Sequence, residues 1–439
     1  MIPNSLRTPA RIIASLSASL VLSLSTTLSA SAAMLDDAEA SVFAKHEIDR
    51  VNQSSEVAPN KRGNLSFTFN SSLNIPSGKS YVIVTDQDDP ACLSSLDKLA
   101  QYHSAQIIKL RDLRNLTKMP AARNFLIKKL QAANPEYVAF APRIENFSEN
   151  TLLALWQVLL SEGGGKLNVY PGFLIGRNAQ ELDALITRCI ANQKLSARAL
   201  KPVVVAQVVD RKEGGMRAFQ KADVMEDLFS AIGQNCSGLV VRTPLAPPPL
   251  TFPKVGTLGT LNAPAGASLP TLPPNAVQAL SDAHLIMLFG HGSPGMSCSI
   301  SVNAFDDVTM KNDVVLCGSC FSCTPLQSDV MQNSNGKRPD ALVYHALANG
   351  ASVFYGHMHE NGGFPMLYIA FEALMKGETV GQSYQRVLNC EFAESKIDPN
   401  QFIMTEDQLA DKQAVDARNK FLLVMIGDPA ASPISSDDK

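Results

Sequence analysis

From Ser80 onward the chain alternates short apolar runs with stretches of helical spacing. Tyr81–Thr85 (YVIVT), Ala105–Leu110, Tyr137–Ala141 (YVAFA) and Asn168–Ile175 read as strands. Between and after them, Cys92–Tyr102, Ala121–Ala133, Thr151–Leu160 and Leu182–Ile190 carry apolar residues at helical spacing, the last opened by Asn178 as N-cap with Glu181 in its first turn. The same rhythm resumes at Lys201. Pro202–Val209, Gly238–Arg242, Leu285–Phe289, Val314–Leu316, Ala351–Tyr355 and Phe421–Ile426 are the predicted strands. Arg217–Ile232, Asn275–Ala283, Asp340–Asn349, Phe364–Lys376 and Gly381–Leu388 are the predicted helices. Strands that are apolar almost throughout are buried on both faces, which belongs to parallel sheets. Regular alternation with helices predicts an α/β fold of two adjacent doubly wound, mainly parallel-sheet subdomains, at 78–200 and 201–433.

Two regions break the rhythm. Residues 244–274 are dense in Pro, Gly, Thr and Leu and have no period. A connection of that length predicts a functional flap or a mobile insertion. At the amino terminus, Arg7 and Arg11 precede an apolar, Ser-rich run from Ile12 to Leu28, followed by Ser29-Ala30-Ser31-Ala32-Ala33. A basic start, a short apolar middle and a small-residue end predict a cleavable signal peptide over 1–33. The polar residues 34–77 read as a leader or propeptide-like segment. No later apolar run reaches the roughly 18 residues that would span a bilayer, so no stable transmembrane segment is expected in the mature chain. The expected location is secreted, or periplasmic and cell-surface.

Charge changes the picture only by exclusion. The formal net charge is −3, and no basic block points to a nucleic-acid partner. Eight cysteines in 439 residues do not make a disulfide scaffold. Three of them, however, fall within seven positions, at Cys317, Cys320 and Cys323.

Chemistry concentrates in Leu285–Cys323. One apolar run ends in Phe289-Gly290-His291-Gly292, the next in Gly318-Ser319-Cys320. In open α/β sheets, sites form beyond the carboxyl ends of the strands. A His after one strand and a Cys after the next thus bring a base beside a thiol, and only the thiolate attacks well. Gly292 permits close approach of backbone to a carbonyl, and N–H groups at Gly292 and Cys320 are candidate oxyanion donors. Cys317, inside its strand, reads as buried and inert, and Cys323 as a neighbour able to form a disulfide with Cys320. His357, His359 and Glu360 follow the strand ending at Tyr355 and share the rim, as a candidate substrate-pocket wall or as a plain polar loop. A metal reading of the Cys/His cluster lacks a second C-x-x-C pair, so no metal or other cofactor is expected. A serine nucleophile elbow fails, because His291 stands where Gly is required two positions before Ser293.

These residues resemble the gingipain-type cysteine peptidases, within the wider group of caspases and legumains. The resemblance rests on LIMLFGHGS (285–293), VVLCGSCFSC (314–323), FLLVMIGDPAASP (421–433) and VYPGFLIGRNAQELDALI (169–186), in the family's order. It implies that the second subdomain is caspase-like and catalytic. It further implies peptide-bond hydrolysis of a polypeptide substrate through a Cys320 thioester, with His291 as general acid and base and an oxyanion hole at Gly292 and Cys320. Two alternatives remain open from the residues: a catalytically inactive peptide-binding protein of the same fold, and a Cys/His metal-binding protein.

Overall fold

The computed structural model describes residues 80–163, 166–191, 195–196, 201–208, 237–242, 256–263, 268–326, 340–360, 364–395, 415 and 418–435. The predicted signal peptide, the leader and the predicted helix Arg217–Ile232 lie outside them.

The first strands are β1 (Tyr81–Thr85), β2 (Gln106–Lys109), β3 (Tyr137–Ala141), β4 (Tyr170–Phe173) and the two-residue β5 (Leu195–Ser196). Next come β6 (Pro202–Val208), β7 (Ser237–Arg242), β8 (Gly256–Asn262) and β9 (Leu285–Phe289). A short meander follows, made of β10 (Gly292–Ser293), β11 (Met296–Ser297) and β12 (Ile300–Ser301). The last are β13 (Val314–Cys317), β14 (Val353–His357), β15 (Leu423–Ile426) and β16 (Ile434–Ser435). Eleven of these form one sheet in the order β2-β1-β3-β4-β15-β14-β13-β9-β6-β7-β8.

The class is the mainly parallel α/β fold that the apolar runs predict. The strands β1, β3, β9, β13, β14 and β15 are buried at every position, as continuous apolar runs require. The strands of both expected subdomains join in one sheet. β15 pairs with β4 in parallel at Ile426↔Phe173 and with β14 antiparallel from Phe354↔Ile426 to His357↔Leu423. Strands β1 to β4 therefore run one way, and β6 to β9, β13 and β14 the other. Their carboxyl ends lie on opposite rims.

The helices cover the sheet by the same logic of burial. In α1 (Pro90–His103), Asp89 caps the start by accepting from the Ala91 N–H, and Pro90 occupies the first turn, where its missing N–H costs nothing. Asn178 accepts from the Glu181 N–H at 3.0 Å and starts the helix Ala179–Ile190, as its sequence predicts. The helix Glu149–Gly163 is buried without a break from Thr151 to Leu160, and its Trp156 satisfies its one N–H on the Phe421 carbonyl at 2.9 Å. Among the described residues no helix is long and apolar enough to cross a membrane.

Two features depart from the sequence reading. The segment 244–274 is not structureless throughout, because β8 lies inside it and pairs in parallel with β7 at the sheet edge. Residues 292–301, immediately after His291, form the antiparallel meander β10-β11-β12, whose two-residue strands no periodicity announces.

Candidate active site

β9 and β13 are adjacent and parallel, with Leu288 opposite Cys317. His291 and Cys320 each lie three residues beyond those partners, so the two loops leave the sheet at equal height on one rim. The Gly318 N–H donates to the Leu288 carbonyl at 2.9 Å and carries the pairing past the strand ends. The loops then touch. A side chain at Gly292 would place its Cβ 2.3 Å from the Cys320 carbonyl oxygen, 2.7 Å from the Ser319 Cβ and 3.0 Å from the Cys320 nitrogen. Only glycine admits that approach. Replacing Gly292 with alanine is expected to push the two loops apart and lower any Cys320-dependent turnover by about 10²-fold, the scale of a 1 Å misplacement. Steady-state kinetics on the folded variant measures this, and wild-type turnover would show that the close approach is dispensable.

His291 is held by its main chain. Its N–H donates to the Gln207 Oε1 at 2.6 Å, and its carbonyl accepts from the Cys298 N–H at 2.8 Å. Burial lowers the imidazole pKa below its usual value, so near neutral pH the ring is uncharged and able to take a proton. Cys320 is half-buried on the same rim. The residue after Cys320 is strained, since Phe321 has φ +58°. Its N–H donates to the His359 carbonyl at 3.1 Å, and the Cys323 N–H donates to the His357 carbonyl at 2.8 Å. Thr324 Oγ1 donates to the Phe321 carbonyl at 2.8 Å and to the Met358 carbonyl at 3.1 Å. These bonds stitch the Cys320 turn to the end of β14.

The other candidate residues separate. His357 is the last residue of β14, opposite Leu423, and is 0% exposed. Burial drives its pKa down to about 3, and among the described residues neither ring nitrogen has a hydrogen-bond partner. It is closed off from solvent and lines no open wall. His359 stays at the rim, half-buried, with its ring 5.0 Å from that of Phe321 and its Nδ1 3.1 Å from the Asn419 Nδ2. Glu360 is exposed.

Cys317, Cys320 and Cys323 are all free thiols in the structure, and Cys317 and Cys323 are fully buried. Burial raises both thiols, and Cys298 is pushed up to about 12 by the same cause. Such thiols stay protonated and are poor nucleophiles. Beneath the rim, Ser297 Oγ lies 2.8 Å from Ser319 Oγ and 3.6 Å from the Cys317 sulfur, a polar floor that includes no described set of metal ligands.

Gln207 is the residue that sequence reasoning misses. It is 4% exposed and occupies the only polar position in the run PVVVAQVV (202–209). A polar side chain inside an apolar strand needs a partner. That is the signal by which it is recognisable.

No family model matches the chain, and no curated protein matches it. Among solved structures, the Arg-specific cysteine proteinase gingipain R (RGPB) is similar at 13% identity with a TM-score of 0.47, over 80% of this chain and 77% of that one. The complex of the Porphyromonas gingivalis RgpB pro- and mature domains is similar at 12% identity with a TM-score of 0.49, over 81% and 79%. A further protease structure gives 12% identity and a TM-score of 0.47, over 81% and 78%. At these values the roles at the β9–β13 rim rest on this chain's own residues.

Proposed function

We propose that this protein is an exported cysteine endopeptidase of gingipain type, with Cys320 as nucleophile and His291 as general acid and base. The observation that carries the reading is the matched offset of His291 and Cys320 beyond paired residues of two adjacent parallel strands. In the proposed cycle, the Cys320 sulfur attacks a peptide carbonyl while His291 takes the thiol proton. The tetrahedral oxyanion is held by N–H groups at Gly292 and Cys320. His291 then protonates the leaving amine, which departs and leaves a thioester on Cys320. Water attacks the thioester, giving its proton to His291, and the acid product leaves as the thiol is restored. His359 and Glu360 are the pocket-wall residues that this reading retains, and the basic-apolar-small pattern of residues 1–33 supports export.

The test is covalent labelling with a peptide acyloxymethyl ketone. Labelling should require Cys320 and fall sharply in His291→Ala. Its rate should hold up on acidification to below the usual histidine value of about 6.5, because a depressed imidazole pKa keeps the base neutral there. Labelling of Cys320 at the same rate with and without His291 would mark an ordinary exposed thiol and remove the proposal.

A further inference from the structure

We infer that Gln207 is a positioning residue that holds the His291 imidazole at the catalytic rim through the main chain. The inference rests on the reading of His291 as base. β6 and β9 pair in parallel, with Ala206 opposite Phe289, so Gln207 emerges beside Gly290. There is no room between them, since a Cβ on Gly290 would lie 2.6 Å from the Gln207 Cβ and 2.7 Å from its Oε1. From this wedge the buried amide uses both ends. Its Oε1 accepts from the His291 N–H at 2.6 Å, and its Nε2 donates to Ser299 Oγ.

Ser299 belongs to the turn between β11 and β12, where Cys298 (φ +53°) and Ser299 (φ +57°) both adopt the left-handed conformation that disfavours side chains. That same turn returns the Cys298 N–H to the His291 carbonyl. Gln207 therefore closes a ring that runs from β6 to His291, through Cys298 to Ser299, and back to its own amide. Both polar groups of the His291 backbone are fixed inside it. Burial lowers the His291 pKa, so the depression depends on the ring staying in this place.

Gln207→Leu keeps the bulk and removes both contacts. We expect kcat to fall about 10²-fold with KM little changed, as for a small misplacement of a reacting group. Gln207→Glu restores the acceptor for the His291 N–H and should recover much of the kcat lost in Gln207→Leu. The second readout is the His291 ring titration by NMR, assigned with His291→Ala. In Gln207→Leu its midpoint should rise toward the usual histidine value. Should Gln207→Leu not fold, Gln207→Asn, shorter by one methylene, withdraws the acceptor while keeping the amide, and the same two shifts are expected. Unchanged kcat, or an unmoved midpoint in a folded variant, overturns the inference. A midpoint that moves in a protein without peptidase activity would instead remove the peptidase reading while His291 stays positioned by Gln207.

Discussion

Replacing Cys320 with alanine should abolish peptide hydrolysis, with kcat/KM falling by about 10⁴-fold or more, because no covalent intermediate can then form. The other thiols near the site offer no substitute. Cys298, Cys317 and Cys323 are fully buried, and burial raises the pKa of each. Hydrolysis rates of a fluorogenic peptide library, compared at equal folded concentration, measure the loss. Thermal unfolding should change little, since Cys320 is only half-buried and its removal opens no core cavity. Cys317→Ala should behave in the opposite sense. It shortens a 0%-exposed strand residue and should cost roughly 1–2 kcal/mol of stability while leaving the reaction in place. Full hydrolysis by the Cys320→Ala protein would sink the assignment of the nucleophile.

Asp428→Ala should be the most destabilising single change near the junction of the sheet's two halves. Gly427, at φ +140°, turns the chain directly after β15 and delivers Asp428 to the first half. There its Oδ1 accepts from the Tyr81 hydroxyl at 2.8 Å and from the Ala430 N–H at 3.0 Å, while its Oδ2 lies 2.7 Å from the His103 Nε2. The Tyr81 and His103 rings stack, 4.3 Å apart and 6° from parallel, so both donors arrive side by side. All three side chains are buried. Burial, followed by the nearby Asp428 charge, pushes the Tyr81 pKa well up and keeps the phenol a donor. Removing the carboxylate leaves the buried Tyr81 hydroxyl and the His103 Nε2 without their partner, which costs about 1–3 kcal/mol for each unsatisfied group. Urea denaturation gives the number. A loss under about 1 kcal/mol, the scale of an ordinary substitution, would show that water replaces the carboxylate.

Much of this architecture is legible from the residues because burial on both faces leaves a plain mark. YVIVT, YVAFA, LIMLF and VVLC announce their strands, and parallel order then brings the ends of LIMLF and VVLC together. The joining of both subdomains' strands into one sheet is not legible. LVMI (423–426) fits any buried strand, and nothing in it names β4 and β14 as its neighbours. GTLGTLN (256–262) conceals β8, because glycine and a Pro-rich setting argue for a loop.

His357 turns on a strand boundary. Ending the strand at Tyr355 places His357 in a rim loop, whereas pairing with Leu423 carries β14 two residues further and takes the imidazole into the core. Gln207 stands out locally as a lone amide. What it holds lies 84 positions away along the chain, beyond the reach of any local pattern.

The strand that unites the sheet is also the last of its strands to be synthesised. β15 sits fifth from one edge, yet it follows every other member of the sheet in sequence. A ribosome therefore presents β4 and β14 with open backbone flanks until residues 423–426 emerge. Open flanks of that kind invite pairing with other chains.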